Sequence, residues 1–224
     1  MLRDAILACL LMLLVATAGR PARAADEPWE AAVRKEEAEE DRLLERARRR
    51  RTTHTVVTKY ASRLSRQPSA LNHYLLGRAL YYDGKAAEAE KHLRQALALE
   101  PRFWFATLRM AMLELERKNP TQAQAYLGDV LRQKPREPDA LKLLAQIRLD
   151  AADYDGAIRV LDQLLSLDPG NLQVRRNLAT SYMAKQDWAS ALRELRVLRG
   201  RDADDLAVRW FYAQALYEMG QLKE

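Results

Sequence analysis

The residues best suited to acid–base or metal chemistry are three histidines, His54, His73 and His92, which lie 19 residues apart. This spacing does not gather them on one helical face, where neighbours stand three or four residues apart. The sequence also contains no HExxH motif, no glycine-rich phosphate loop and no Gly-x-Ser-x-Gly elbow. We therefore predict no catalytic residue, no metal site and no cofactor. His73 and His92 are interpreted as ordinary helix-surface residues.

The single cysteine, Cys9, lies in a segment with the features of a secretory signal. A positive start, an apolar run over residues 5–18 and the small-x-small triplet Ala22-Arg23-Ala24 follow one another. The run of about 14 apolar residues is shorter than the roughly 20 that a membrane-spanning helix needs. We expect residues 1–24 to be a cleaved signal peptide of an exported protein, periplasmic or in the cell envelope; a retained anchor and a lipidated Cys9 are the alternatives. Cleavage would leave no cysteine, which excludes disulfides and thiol catalysis.

Residues 25–51 form a strongly charged segment without interior glycine, and we predict a helix there. Its acidic residues, from Glu36 to Asp41, precede its basic ones, an order that suits the helix dipole. We interpret it as a solvated leader helix whose Leu43, Leu44 and Ala47 contact the domain that follows. The alternative is contact with an anionic membrane surface or polyanion through four arginines. These are Arg48, Arg49, Arg50 and Arg51.

From Ala70 onward the sequence repeats every 34 residues. In each unit apolar residues recur three and four apart on both sides of a polar break, which predicts two helices, A and B. Small residues recur at one place of helix A: Gly77, Ala111, Ala145, Ala179 and Ala213. Alanines recur in helix B: Ala89, Ala123, Ala157 and Ala191. Since glycine in mid-helix is unfavourable, Gly77 indicates that helix B crosses helix A closely.

This spacing, with prolines closing the first three units, resembles the tetratricopeptide repeat pattern L-G-x-x-Y, A-x-x-x-F, P. The resemblance implies an all-α fold, a right-handed α-solenoid of stacked helix-turn-helix units. We predict a capping helix with the character of a degenerate half repeat at 52–69. Four repeats then follow, at 70–103, 104–137, 138–171 and 172–205, and residues 206–224 supply helix A of a fifth.

The resemblance also implies a concave groove lined by the second, fifth, ninth, twelfth and thirteenth places of each repeat. Aromatic, methionine and arginine residues are enriched where proteins bind proteins. We therefore predict that a protein or peptide ligand contacts these places and the adjacent Arg109. The predicted contact residues are Tyr74, Arg78, Tyr81, Tyr82, Arg109, Met112, Lys142, Arg176 and Trp210.

The eleventh place of helix A, usually aromatic in the resembled family, is Tyr182 in the fourth repeat but charged in two others, as Glu114 and Arg148. Charges at a half-buried place need partners. We predict that Glu114 and Arg148 pair across adjacent A helices.

The formal net charge of +6 is spread among residues of both signs and does not indicate a nucleic-acid partner. The sequence is thus interpreted as a non-catalytic protein-binding scaffold of the bacterial cell envelope. The alternative is the helical accessory region of a larger envelope enzyme or secretion assembly. Residues 206–224, which predict a helix A without its helix B, raise that alternative.

Overall fold

The computed structural model describes residues 28–50 and 52–221, so the predicted signal peptide and Arg51 lie outside the described residues. Within these ranges the chain forms eleven α-helices and no strand. They are α1 (Pro28–Arg50), α2 (Thr53–Arg66), α3 (Ala70–Tyr82), α4 (Ala86–Leu99), α5 (Trp104–Glu116), α6 (Pro120–Gln133), α7 (Pro138–Asp150), α8 (Tyr154–Leu167), α9 (Leu172–Ala184), α10 (Trp188–Arg201) and α11 (Leu206–Glu218). The described chain divides into two compact units: unit 1 ends at Pro101 and unit 2 begins at Arg102.

Each repeat is a hairpin of two helices that cross at the small residue of helix A. A Cβ atom added to Gly77 would lie 3.1 Å from Leu93 Cγ and 3.2 Å from the carbonyl oxygen of Ala89, both on α4. The same place in α5, α7 and α9 is filled by buried alanines: Ala111, Ala145 and Ala179. The alanines of the B helices, Ala89, Ala123, Ala157 and Ala191, are also buried.

Ala213 differs from the other predicted packing residues. It occupies the same place in α11 but is exposed. No helix within residues 28–50 and 52–221 crosses α11 there, so the prediction that Ala213 packs against a neighbouring helix does not hold for the described chain.

The turn between helices A and B has the same backbone in every repeat. One residue adopts the left-handed conformation each time, with φ between 54° and 80°. These residues are Gly84, Lys118, Ala152, Gln186 and Gly220, each 34 positions after the last. In three turns a polar side chain then caps helix B: Asn119 accepts from the Gln122 amide, Asp153 from that of Gly156 and Asp187 from that of Ser190.

Packing between hairpins builds the core of unit 2. Leu141 and Ala145 of α7 pack with Leu161 and Leu164 of α8 and with Leu178 of α9. A second cluster joins α9 and α10 to α11 through Val208 and Ala215. The core is therefore a row of interhelical clusters, which is the form a repeat array requires.

In unit 1, α1 packs against α2 and α3. Its buried positions are spaced by three, four or seven residues and include acidic side chains: Glu30, Val33, Glu40, Leu44 and Ala47. Glu40 is completely buried. The interpretation of α1 as a solvated helix is therefore wrong for this face. Leu44 and Ala47 are buried, as expected for residues that contact the domain that follows.

Candidate functional site

Two of the predicted groove residues, Tyr74 and Arg78, lie on α3 beneath α1. The Arg78 side chain is 1 % exposed; its Nη2 lies 2.5 Å from Asp41 Oδ1, and its Nη1 lies 3.1 Å from Glu40 Oε2 and 3.4 Å from Glu37 Oε1. The Tyr74 hydroxyl donates a hydrogen bond to Glu37. We call this pair the Tyr74–Arg78 site. The expectation that both residues stand open to a ligand is corrected, because three carboxylates of α1 cover them.

The Tyr74–Arg78 site brings opposite charges together in one cluster. A guanidinium keeps its proton at any physiological pH, so Arg78 offsets the negative charge of the acids beside it. Glu40 and Asp41 follow Glu37 by three and four residues, so each lies beside Glu37 on α1. Burial, followed by the charges of Glu40 and Glu36, raises the pKa of Tyr60 on α2, so its hydroxyl stays protonated.

The other predicted contacts of unit 1 are half-buried. Tyr81 and Tyr82 meet edge to face with ring centroids 5.3 Å apart. The guanidinium of Arg48 lies 5.9 Å from the centre of the Tyr82 ring. Arg49 pairs with Glu45, 2.5 Å away, Arg50 is exposed, and Arg51 lies outside the described residues. Contact of this arginine run with an anionic surface stays a prediction.

In unit 2, the predicted contact residues divide into structural and exposed ones. Arg109 donates to Met112 Sδ over 3.4 Å, and both are half-buried. Arg176 donates to Asp205 Oδ2 over 2.8 Å. This hydrogen bond, with that from the Val208 amide, lowers the pKa of Asp205, which caps α11. Arg176 therefore links α9 to the start of α11.

Four exposed residues of unit 2 occupy the fifth or ninth place of an A helix. Lys142 and Gln146 on α7 and Thr180 on α9 are exposed. Trp210 on α11 is 61 % exposed and touches Phe211 edge to face, with centroids 5.1 Å apart. Because the hairpins repeat in one register, these places lie on equivalent sides of their hairpins. We call Lys142, Gln146, Thr180 and Trp210 the open A-face of unit 2.

Glu114 and Arg148 do not pair with each other, which corrects that prediction. Glu114 accepts from Arg117 Nη1 at 3.0 Å and from Asn119 Nδ2 at 3.0 Å. Arg148 Nη1 donates to Asp153 Oδ2 over 2.7 Å. Each charge therefore reaches the residue five positions ahead that caps its own helix B. Glu114 contacts an amide cap and Arg148 contacts a carboxylate cap, so each charge has its partner within its own hairpin.

Sequence reasoning missed the contact between His73 and His92. Their Nδ1 atoms are 3.0 Å apart, with ring centroids at 5.3 Å, because the α3–α4 hairpin brings its fourth and twenty-third places together. In a hydrogen bond between two ring nitrogens, one nitrogen donates and the other accepts. At least one of the two rings is therefore neutral in this contact. Burial lowers the pKa of both rings, and the charge of His73 lowers that of His92 further. Their interpretation as ordinary surface residues is therefore corrected.

Within the described ranges, no group of three or more histidine, cysteine, aspartate or glutamate residues is arranged to hold a metal ion. Over the same part of the chain, no helix combines the length and the apolar character needed to cross a membrane.

Helix hairpins that repeat every 34 residues and cross at small side chains define a helical repeat protein. The sequence profile named tetratricopeptide repeat matches residues 80–147 and 148–209, which is more than half of the chain. The chain therefore belongs to the tetratricopeptide repeat family. A search of curated protein sequences finds no match.

Solved structures with the same fold are similar along most of the chain. A tetratricopeptide repeat protein from Parabacteroides merdae is 18 % identical, with a TM-score of 0.61 over 82 % of this chain and 73 % of that one. PilF from Pseudomonas aeruginosa is 14 % identical, with a TM-score of 0.66 over 85 % and 87 %. MamA from Desulfovibrio magneticus is 19 % identical, with a TM-score of 0.60 over 74 % and 95 %. The predicted all-α repeat fold is thus confirmed.

Proposed function

We propose that this chain is a non-catalytic scaffold of the bacterial cell envelope that binds another protein or peptide. The binding surface is the open A-face of unit 2, on the side that the family resemblance assigns to the concave groove. The family and the fold support a protein-binding scaffold as the general class. The envelope location and the particular surface are the further content of the proposal.

The observation that carries the proposal is the exposure of Trp210 at the fifth place of α11. A tryptophan with 61 % of its surface exposed leaves a large apolar side chain in water. Tyr217, at the twelfth place of the same helix, is 72 % exposed. Tryptophan and tyrosine are the residues most enriched at the energetic centres of protein interfaces. Exposed polar residues at equivalent places, such as Lys142 and Gln146 on α7, suit the rim of such an interface.

The envelope location is supported by the sequence features of residues 1–24. Fractionation of cells that express the full chain with a C-terminal tag tests it. We expect the protein in the periplasmic or envelope fraction with a new N-terminus at Ala25. Recovery from the cytosol with Met1 retained would contradict this part of the proposal.

The binding surface is tested by affinity capture from envelope extract with a Lys142→Ala/Gln146→Ala/Trp210→Ala triple variant. These three side chains are exposed, so their removal should leave the hairpins intact. The one ring contact that is lost is that between Trp210 and Phe211 on the same helix. Arg176 is left unchanged because its replacement would disturb the cap of α11. We expect the specific partner captured by the wild-type chain to be lost.

The matched control removes equivalent side chains from B helices, as Arg132→Ala/Gln163→Ala/Val197→Ala. All three are exposed and lie on α6, α8 and α10. The control also loses one cation, one amide and one apolar side chain, so bulk charge and surface polarity change alike. We expect it to retain the partner. Loss of the partner from both variants, or from neither, would show that the open A-face is not the binding surface.

A further inference from the structure

The buried side of α1 carries acids where a packed helix normally carries apolar residues. Its contact positions are 30, 33, 37, 40, 44 and 47, a spacing of three and four that forms a narrow seam along the helix. Val33, Leu44 and Ala47 are apolar, whereas Glu37 and the fully buried Glu40 are acidic. A buried carboxylate is unfavourable unless a cation compensates it. This seam therefore fits a basic site and would pack poorly on an ordinary apolar face.

The basic site that receives the seam occupies the fifth and ninth places of α3. Tyr74 and Arg78 stand at the places that Lys142 and Gln146 fill in α7, where both are exposed. In α3 those places are covered by α1, whereas in α7 of unit 2 both are exposed. α1 thus lies where the groove prediction put a ligand.

We propose that the Tyr74–Arg78 site binds an acidic amphipathic helix of a partner protein and that α1 is its intramolecular occupant. The proposal rests on the general scaffold function proposed above and adds a second ligand site, in unit 1, with one class of ligand. The partner helix presents two carboxylates three residues apart beside an apolar seam, as Glu37 and Glu40 do beside Val33 and Leu44. Binding of the partner displaces α1.

The physical chemistry of the site favours such an exchange. An incoming helix with the same pattern restores each ion pair that α1 gives up, so no buried charge is left without compensation at the end of the exchange. The apolar part of the seam is small, with leucine as its largest member. The tether to α2 gives α1 a high effective concentration, so a free helix competes only when it binds more tightly or when α1 is weakened.

The test uses the full chain and a fluorescein-labelled peptide with the sequence of residues 28–50. A Glu37→Gln/Glu40→Gln variant weakens α1 at the site. A Glu39→Gln/Glu45→Gln variant is the matched control, because it also removes two acids from α1 but takes them from exposed positions. The third variant adds Arg78→Gln to the first. Peptide binding is measured by fluorescence anisotropy, and hydrogen exchange of residues 28–50 reports the release of α1.

We expect the peptide to bind the Glu37→Gln/Glu40→Gln variant at least tenfold more tightly than the wild type or the control. Exchange of residues 28–50 should rise at least tenfold in that variant while residues 104–218 stay protected. Arg78→Gln should abolish the peptide binding that is gained. Equal peptide binding by all chains, or binding that survives Arg78→Gln, overturns the proposal.

A milder change covers the case in which the double variant does not fold. The Asp41 carboxylate contacts Arg78 but is 58 % exposed, so Asp41→Asn is tolerated. We expect this variant to bind the peptide several-fold more tightly than the wild type. This gain in affinity should be smaller than that of the double variant. Equal binding by Asp41→Asn and the wild type overturns the proposal.

The outcomes also separate this proposal from the proposed function. Loss of partner capture by the open A-face variant, together with no gain in peptide binding, would leave the scaffold function standing and remove the role of α1. Gain of peptide binding, together with unchanged partner capture by the open A-face variant, would remove the open A-face as the binding surface and leave the role of α1 standing.

Discussion

The first repeat, residues 70–103, and the fourth, residues 172–205, place different side chains at equivalent positions of the same hairpin. The fourth and twenty-third places hold His73 and His92 in the first repeat, with Nδ1 atoms 3.0 Å apart. In the fourth repeat they hold Arg175 and Glu194, an ion pair at 2.7 Å. The same two places touch in both repeats, but the contact is a histidine pair in the first and a salt bridge in the fourth.

The ninth place shows the same freedom with a larger consequence. Arg78 is buried under the acids of α1, whereas Thr180 is exposed. The hairpin backbone depends on a few places, namely the small residue of helix A, the alanine of helix B and the left-handed turn residue. The remaining places face solvent, another helix or a ligand, and their chemistry is not dictated by the fold. Equivalent substitutions in the two repeats can test this distinction.

The largest difference is expected at the ninth place. Arg78→Ala removes the cation from a site that holds the fully buried Glu40, so the free energy of unfolding of unit 1 should fall by about 3–5 kcal/mol. Thr180→Ala removes an exposed hydroxyl and should change stability by less than about 0.5 kcal/mol. Urea unfolding followed by circular dichroism measures both. Equal effects of the two variants would mean that α1 adds nothing to the stability of the first repeat.

The next effect concerns the eighth place, which holds a small residue in every repeat. Ala145→Leu and Ala179→Leu insert three carbon atoms at buried crossings, and each should cost about 1–3 kcal/mol through overpacking. Ala213→Leu is the control, because Ala213 has the same register but is exposed. Its midpoint of thermal unfolding should stay that of the wild type. A similar loss in all three variants would contradict the crossing geometry.

The predictable part of this structure is the part that the period dictates. A small residue recurs at a 34-residue step and lies at the helix crossing in all four complete repeats, so the hairpins and the small residues follow from the sequence. The left-handed turn does not follow in this way, because its residue changes from glycine to lysine, alanine and glutamine. The exception, Ala213, has the right register but is exposed, with no helix across it within residues 28–50 and 52–221. Burial there depends on a neighbour, and no period within one helix specifies that neighbour.

The contacts that the sequence did not predict join residues through the hairpin or from outside the repeats. His73 and His92 were judged too distant for one helical face, yet a helix hairpin pairs its fourth and twenty-third places whatever residues fill them. The acids of α1 have the composition of a solvated face, and only the three-and-four spacing that ends in Leu44 and Ala47 indicates burial. The position of α1 on Arg78 depends on a long-range ion network, which no periodicity encodes.

A smaller effect is expected at the fifteenth place, where the left-handed turn residue is Gly84 in the first repeat and Gln186 in the fourth, with φ of 80° and 59°. A side chain in this conformation is strained by roughly 1 kcal/mol. Gly84→Ala should therefore destabilise unit 1 by about that amount, and Gln186→Gly should stabilise unit 2. The gain should be the smaller of the two, since glycine also increases the entropy of the unfolded chain. Thermal unfolding checks both signs, and destabilisation by Gln186→Gly would contradict the shared turn.

The smallest effect is a pH dependence that only the first repeat should show at its fourth and twenty-third places. Burial lowers the pKa of His73 and His92, and the charges of His73 and Lys91 lower that of His92 further against the opposing charge of Glu88. The unfolded chain, with ordinary histidines, binds more protons below about pH 6.5. The contribution of the pair is therefore complete above that pH and is lost as the pH falls. Both rings are partly exposed, so screening by solvent keeps this loss small.

Hydrogen exchange at pH 7.5 and 5.5 measures this loss in α3 and α4, with α9 and α10 as the internal reference. His92→Gln should reduce the pH response of α3 and α4, because it removes one of the two titrating rings while burial still lowers the pKa of His73. His54→Gln is the control, since His54 is exposed on α2. An equal response of both hairpins in the wild type would mean that the same two places carry no chemistry of their own, which would erase the contrast between the first and fourth repeats.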